Sequence, residues 1–297
     1  MNLDNSIRIS QGLAPIDENR RSWLYVICLD GAFLPPDTKV AGIGCSMLTS
    51  ALGFRIVFSL KGAIPYLWRE QCRIMQQCIN RLSIPEDGLP HWDVLYRQVE
   101  LLSAKNHYPG HSQVTLTVWL DEDRVHYLLQ QCRIERNIFD VSTDPIYLLD
   151  YEEERLPKSP YNCIPRPTLL HHMATRAVSL GELKYHGAVL RDSDNRVVQS
   201  TLGNIYILIQ NTLYTVSPNH GAVLDALAET IEYEASLQGL QVIYSEGLTD
   251  EMFAEASECF VASNEHGIHM ILGLGNNRYN NKRLSRLAVY LKQRLIY

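Results

Sequence analysis

The sequence predicts an α+β protein of two domains. Its 297 residues exceed the usual size of one hydrophobic core and suit two domains. Strand-like alternation and helical spacing both occur in each half of the chain. Between the halves, the segment 151–167 is rich in glutamate and proline, which favours an extended connector. We therefore expect an N-terminal arm at 1–20, domains at 21–150 and 168–297, and a connector at 151–167.

In the N-terminal half, apolar alternation predicts strands and apolar residues at helical spacing predict two helices. Asp30-Gly31 is a two-residue hairpin signal between the first two strands. Trp68–Leu82 places Ile74, Cys78 and Leu82 on one side, as expected of an amphipathic helix. The other elements predicted here are strands at Trp23–Leu29, Gly53–Leu60, Gln113–Leu120 and Val125–Gln131, and a helix at Trp92–Lys105.

The C-terminal half alternates strands and helices. Thr168 is an N-cap residue in front of a predicted helix that runs to Lys184. Asp192–Asn195 consists of residues that are typical of turns and lies between two apolar strand segments. The remaining predicted elements are strands at Ile205–Ile209, Gln241–Ser245, Cys259–Ala262 and Ile268–Leu272, and helices at Gly221–Leu240, Thr249–Ser257 and Lys282–Leu295.

Composition argues against several classes of function. The net charge of −6 and the lack of a basic cluster argue against nucleic-acid binding. No apolar run reaches membrane-spanning length, so we expect no membrane association. The seven cysteines lack paired spacing, which suits a reducing cytoplasm better than a disulfide framework. His171 and His172 are adjacent on a helix and point to different sides, so we expect no metal site.

Three segments carry a resemblance to a known family. The order of strands and polar turns in Tyr185–Tyr214 resembles the core signature of class IV aminotransferases and their lyase relatives, the fold-type IV pyridoxal-phosphate enzymes. The segment Cys28–Val40 resembles the first hairpin of that family, and Gly53–Leu67 resembles its next hairpin. Val261–Asn264, followed by Gly267-Ile268, is similar to the phosphate-side turn of 4-amino-4-deoxychorismate lyases.

The resemblance implies a two-domain fold-type IV scaffold. Its N-terminal domain would be an antiparallel sheet with helices on one side, and its C-terminal domain a strand-rich, barrel-like unit. It also implies a homodimer, pyridoxal phosphate as cofactor, and a ligand cavity between the two domains near the partner chain.

The catalytic lysine of the family has no counterpart in its expected place. Only an amine forms a Schiff base with the cofactor aldehyde. The family's helix length places that lysine near 165–167, and no lysine occurs between Lys158 and Lys184. Arg166 lies closest to the slot, but a guanidinium stays protonated and forms no imine. Lys158 could serve only if it were displaced into the site.

Two further cofactor contacts also differ. The family's carboxylate that pairs with the pyridine nitrogen falls on Gln199, which supplies no charge. The family's phosphate-binding arginine falls on Ile74. Arg73 is one position away, which rotates its side chain by about 100° on a helix.

The phosphate-side backbone is the part most similar to the family. There, a glycine-led turn at a helix N-terminus meets the phosphate with free N–H groups. The matching residues are Gly221, Ala222 and Val223, and Ser263 and Asn264 provide polar groups on the opposing turn. The resulting ligand-binding candidates are Arg73, Arg166, Gln199, Asn204, Gly221, Ala222, Val223, Ser263 and Asn264.

Two functional hypotheses follow. In the first, the chain is a class IV scaffold that has lost imine chemistry and binds a small anionic or amino-acid-like metabolite, or acts as a non-catalytic partner subunit. In the second, it is an active lyase or transaminase of the 4-amino-4-deoxychorismate lyase, branched-chain or D-amino-acid type, with Lys158 as the displaced catalytic lysine. The loss of both the lysine and the carboxylate favours the first hypothesis.

Overall fold

The computed structural model describes residues 26–38, 52–107, 110–121, 123–134, 137, 142–181, 184–280 and 282–296. The predicted arm at 1–20 lies outside these ranges. The described strands form two sheets, each with its own hydrophobic core, and helices pack on both. The fold is therefore α+β, as the sequence predicts.

The first sheet is antiparallel, with strand order β2-β1-β6-β5-β3-β4. Asp30 and Gly31 have positive φ angles of 48° and 85°, as the predicted two-residue turn requires. The strands are β1 (Ile27–Leu29), β2 (Ala32–Leu34), β3 (Leu52–Lys61), β4 (Ile64–Pro65), β5 (His111–Asp121) and β6 (Arg124–Arg133).

Two helices cover one face of this sheet: α1 (Trp68–Leu82) and α2 (Trp92–Asn106). Ile74, Cys78 and Leu82 of α1 lie in the same core cluster as Phe54 and Phe58 of β3. Successive strand residues point to opposite faces. The alternate residues of β3, such as Arg55, therefore point away from the helices, toward the C-terminal sheet.

The second sheet runs in the order β12-β11-β10-β13-β14-β7-β8-β9, with β15 paired to β14. Its strands are β7 (Ser142–Asp150), β8 (Gly187–Arg191), β9 (Val197–Ser200), β10 (Asn204–Ile209), β11 (Thr212–Val216), β12 (Gln241–Ser245), β13 (Glu258–Ser263), β14 (Gly267–Leu274) and β15 (Asn277–Arg278).

Helices pack on this second sheet. The helix α3 (Leu169–Leu180) lies against β8, whereas α4 (Ala226–Leu237) and α6 (Lys282–Ile296) share a core with Tyr206 and Phe260. A short helix, α5 (Asp250–Glu255), follows the Thr249 cap. Thr168 caps α3 as predicted, with its hydroxyl accepting the His171 N–H at 3.3 Å.

Two boundaries differ from the sequence-based expectation. The sequence places the division between domains at 151–167, but β7 already pairs with β8 and β14 of the second sheet. The helix predicted from Gly221 begins at Ala226 instead. Asp225 is its N-cap and accepts the Leu227 N–H at 2.8 Å, while Gly221 ends a short 3₁₀ turn with a positive φ of 126°.

Candidate functional site

The connector forms a strap between the two sheets at 162–165. The Pro165 carbonyl accepts the Arg55 N–H of β3 at 2.7 Å, and the Cys163 carbonyl accepts the Leu224 N–H at 2.8 Å. Cys163 and Ile164 are fully buried in the core of the N-terminal domain. The strap is thus held by backbone hydrogen bonds to both domains.

Gln199 is bound to this strap. Its side chain is buried, and its Nε2 donates to the Asn162 carbonyl at 2.9 Å and to the Gly221 carbonyl. Its Oε1 is buried without a hydrogen-bond partner among the described residues. A carboxylate has no N–H group and could donate neither of these hydrogen bonds.

The N–H groups of the predicted phosphate turn are used within the chain. Ala222 donates to the Ser217 carbonyl at 3.3 Å, and Val223 donates to Asn204 Oδ1 at 2.8 Å. Asn204 Nδ2 in turn donates to the Val223 carbonyl at 2.8 Å. Because backbone N–H groups are the usual ligands of a phosphate at a helix N-terminus, this turn offers it few free donors.

The opposing turn is also occupied. Ser263 Oγ donates to the Leu202 carbonyl at 2.9 Å. Asn264 donates to the Asp225 carboxylate from its backbone N–H at 2.9 Å and from Nδ2 at 3.1 Å. Burial raises the pKa of Asp225 to about 6, because these hydrogen bonds offset only part of the desolvation cost.

The cationic candidates do not join this cluster. Arg73 pairs with Glu229 at 3.0 Å and Glu70 at 3.5 Å, while Ile74 is buried beside it. Arg166 is exposed on the connector. The structure therefore brings together Gln199, Asn204, Gly221, Ala222, Val223, Ser263 and Asn264, and leaves Arg73, Arg166 and Lys158 outside.

Lys158 is engaged on the surface. Its ammonium is ion-paired with Asp194 in the turn between β8 and β9, and its side chain is half exposed. The hydrogen bonds of the Gln199 side chain go to backbone carbonyls, not to a lysine.

A cavity of about 360 Å³ lies next to the phosphate turn. Asp225, Ala228, Glu229 and Glu232 line it from α4 and its N-cap, and Ile74 lines it from α1. Tyr206, Thr215 and Tyr244 line it from three adjacent strands. Glu232 accepts a hydrogen bond from the Tyr244 hydroxyl. The cavity reaches Asn204, Ala222 and Val223, so it belongs to the predicted ligand region.

The cavity is acidic, which the sequence analysis missed. Burial raises the pKa of Glu232 to about 7, and the nearby Glu229 carboxylate adds to the rise, while the Tyr244 hydrogen bond opposes it. The spacing of Asp225, Glu229 and Glu232, at i, i+4 and i+7, places them on one side of a helix. That spacing is the sequence signal from which an acidic helix face could have been predicted.

The sequence analysis also missed a polar contact between the domains. Arg55 of β3 forms a bidentate ion pair with Glu265, with both N–O distances at 3.0 Å. Gln113 Nε2 donates to the Glu265 carbonyl at 2.6 Å. The partners are more than 150 residues apart in the chain, so no local sequence pattern could have predicted these contacts.

Pyridoxal phosphate, which the resemblance implies, does not fit the described residues. The pyridine nitrogen would meet a glutamine that is bound to two backbone carbonyls. Its phosphate would meet N–H groups that are already bonded and a cavity wall with three carboxylates. Within the described residues, no group of three or more metal-binding side chains forms a metal site, and no helix is long and apolar enough to cross a membrane.

Comparison with known proteins places the fold. No protein-family model and no curated protein sequence matches the chain. Among solved structures, it is similar to a branched-chain aminotransferase from Thermoproteus uzoniensis, with 13% identity, a TM-score of 0.78, and coverage of 92% of this chain and 95% of that one. A hypothetical aminotransferase from Mycobacterium tuberculosis gives 11% identity, a TM-score of 0.78, and coverage of 91% and 99%.

A third similar structure represents the lyase branch. A Legionella pneumophila protein assigned as a 4-amino-4-deoxychorismate lyase shares 16% identity with a TM-score of 0.74, and the match covers 87% of this chain and 96% of that one. At such identities the likeness concerns the fold. The predicted class IV aminotransferase fold is thereby confirmed.

Proposed function

We propose that this chain, which has the class IV aminotransferase fold, works without an imine-bound cofactor and binds a small amino-acid-like metabolite non-covalently. The sequence left an anionic and an amino-acid-like ligand open. The acidic cavity supports a ligand that is recognised by its amino group, because that group would be attracted to the carboxylates of Asp225, Glu229 and Glu232, whereas a ligand with only a carboxylate or phosphate would be repelled.

The observation that carries the proposal is the hydrogen bonding of Gln199. In the family, this position would carry the charge that keeps the pyridine nitrogen protonated. In this chain its amide joins the strap carbonyl of Asn162 to the carbonyl of Gly221. The side chain thus has a structural contact that a glutamate could not make, which supports a scaffold adapted to a cofactor-free state.

We also propose a homodimer, with the outer face of α3 in the interface. Leu169, Met173 and Leu180 are spaced four and seven residues apart, which places them on one side of the helix. They are 76%, 37% and 71% exposed, whereas Ala174 on the opposite side is fully buried. Several large apolar side chains exposed on one side of a helix are typical of a protein interface.

Cofactor incubation tests the loss of imine chemistry. Purified protein is incubated with pyridoxal phosphate, its visible spectrum is recorded, and borohydride followed by peptide mass spectrometry locates any reduced adduct. We expect no band at about 410–430 nm, where a protonated lysine imine absorbs, and no stoichiometric lysine adduct. Stoichiometric label on Lys158 would overturn the proposal and favour the alternative hypothesis of an active enzyme with a displaced lysine.

A further inference from the structure

The cavity beside the phosphate turn is built from two regular elements. On the sheet side, Tyr206 of β10 is paired with Thr215 of β11, which is paired with Tyr244 of β12, so the three side chains form a row across adjacent strands. On the helix side, Asp225, Glu229 and Glu232 lie within two turns of α4. Both elements are held by the core that α4 and α6 share with the sheet.

The carboxylates of this cavity differ in how far they are already neutralised. Asp225 is bound by the N–H groups of Leu227 and Asn264. Glu229 is ion-paired with Arg73 at 3.0 Å. Glu232 accepts a hydrogen bond from Tyr244, and among the described residues neither lysine nor arginine lines the cavity. Glu232 is therefore the charge that a bound cation would neutralise.

The rest of the lining suits an organic group better than a bare ion. Ile74, Leu224 and Ala228 provide the apolar part of the lining. A volume of about 360 Å³ is within the range of small-molecule sites, which combine apolar walls with a few polar groups. Aromatic side chains together with a carboxylate are a typical lining for an organic ammonium group.

We propose that this cavity binds a small organic ammonium compound, with its cationic head at Glu232 between Tyr206 and Tyr244 and its apolar body against Ile74, Leu224 and Ala228. The proposal rests on the proposed function, since it names the ligand class of the same cofactor-free site. It extends that function by assigning recognition to the amino group of the ligand and to a single carboxylate.

A charge series of one carbon skeleton tests the proposal. Pentylammonium, 1-pentanol and pentanoate are titrated into the full-length, cofactor-free protein at pH 8 by isothermal titration calorimetry. We expect pentylammonium to bind at least about tenfold more tightly than pentanol, and pentanoate not to bind. Equal binding of pentylammonium and pentanol, or no binding of pentylammonium, would overturn the proposal.

Variants on α4 and α1 test the location. Glu232→Gln keeps an acceptor for Tyr244 and removes the charge, so pentylammonium should bind about tenfold more weakly. Gln77 is exposed at the cavity on α1, and Gln77→Arg introduces a competing cation without a core substitution. Glu255→Gln, on the exposed side of α5, is the matched control and should bind as the wild type does.

The outcomes separate the two proposals. Unchanged pentylammonium affinity in both Glu232→Gln and Gln77→Arg would place the binding elsewhere and overturn the cavity assignment. Thermal unfolding of each variant shows whether it is folded, and Gln77→Arg gives the answer if Glu232→Gln is not. A lysine adduct with pyridoxal phosphate would instead overturn the proposed loss of imine chemistry, because it is read independently of amine binding.

Discussion

At the scale of single residues, Gln199 shows how a change of chemistry at one position depends on its surroundings. A glutamine and a glutamate have nearly the same shape, but only the amide nitrogen can donate. Two backbone carbonyls, of Asn162 and Gly221, converge on that nitrogen. Hydrogen bonding in the folded chain therefore favours glutamine over glutamate at this position.

Replacing Gln199 by the glutamate of the family should destabilise the folded state. Gln199→Glu removes the donor to two buried carbonyls and brings carboxylate oxygens close to them, so we expect a loss of about 2–3 kcal/mol in the free energy of unfolding. Urea denaturation monitored by circular dichroism measures it. Gln241→Glu, exposed on β12, is the matched control and should change stability by less than about 0.5 kcal/mol. Equal stability of the two variants would contradict the structural role of Gln199.

At the scale of elements, an apolar stripe was enough to predict a helix that has no side-chain cap. The helix predicted at Trp68–Leu82 is observed with the same bounds, as is the strand at Gln241–Ser245. The helix expected from Gly221 starts late because Asp225 supplies the cap, whereas Val223 and Leu224 are held by bonds to Asn204 and the strap. These bonds join distant parts of the chain and leave no local pattern.

The strand β7 was missed for a related reason. It is paired on both sides by parallel strands, and such strands do not alternate between apolar and polar residues. Its sequence also contains Asp144 and Pro145, which are typical of turns. The strand is therefore specified by its neighbours in the sheet more than by its own residues.

The outer face of α3 gives a prediction about assembly. Leu169→Glu combined with Leu180→Glu places two charges on the exposed stripe, and we expect the dimer to dissociate into folded monomers because burying them would be costly. Size-exclusion chromatography with light scattering measures the mass. Gln241→Glu, exposed on β12 at the other end of the sheet order from β8, is a control for added negative charge. A double variant that stays dimeric would exclude this face from the interface.

At the scale of the whole molecule, the order of short motifs was enough to predict the fold, while the contacts between the domains were not predictable. The Arg55–Glu265 ion pair and the strap bonds connect residues that are far apart in sequence. The polar residues predicted around Gln199 and Asn204 do cluster, whereas the acidic face of α4 joins them only because the helix is packed against the sheet.

That acidic face should also affect the stability of the whole chain. The pKa of Glu232 is raised from 4.5 to about 7 by burial, with Glu229 and Tyr244 as its near neighbours. The folded state therefore retains a proton that the unfolded state loses, and this group's contribution to stability falls as pH rises from about 4.5 to 7. Asp225, with a pKa raised to about 6, acts in the same direction.

Comparison of Glu232→Gln with the wild type isolates this effect. Between pH 5 and pH 8 the variant should gain about 2 kcal/mol relative to the wild type, because it has no charge to bury. Urea unfolding at the two pH values, with Glu255→Gln as control, measures the difference. A constant difference between variant and wild type at both pH values would show that Glu232 ionises normally.

The strap has a consequence for how the cavity is reached. Its backbone oxygens accept hydrogen bonds from Arg55 in the N-terminal sheet and from Leu224 and Gln199 in the C-terminal half, so a hinge opening would have to break either the first bond or the other two. A ligand that leaves these bonds intact would enter beside Tyr244, whose half-exposed ring lines the cavity.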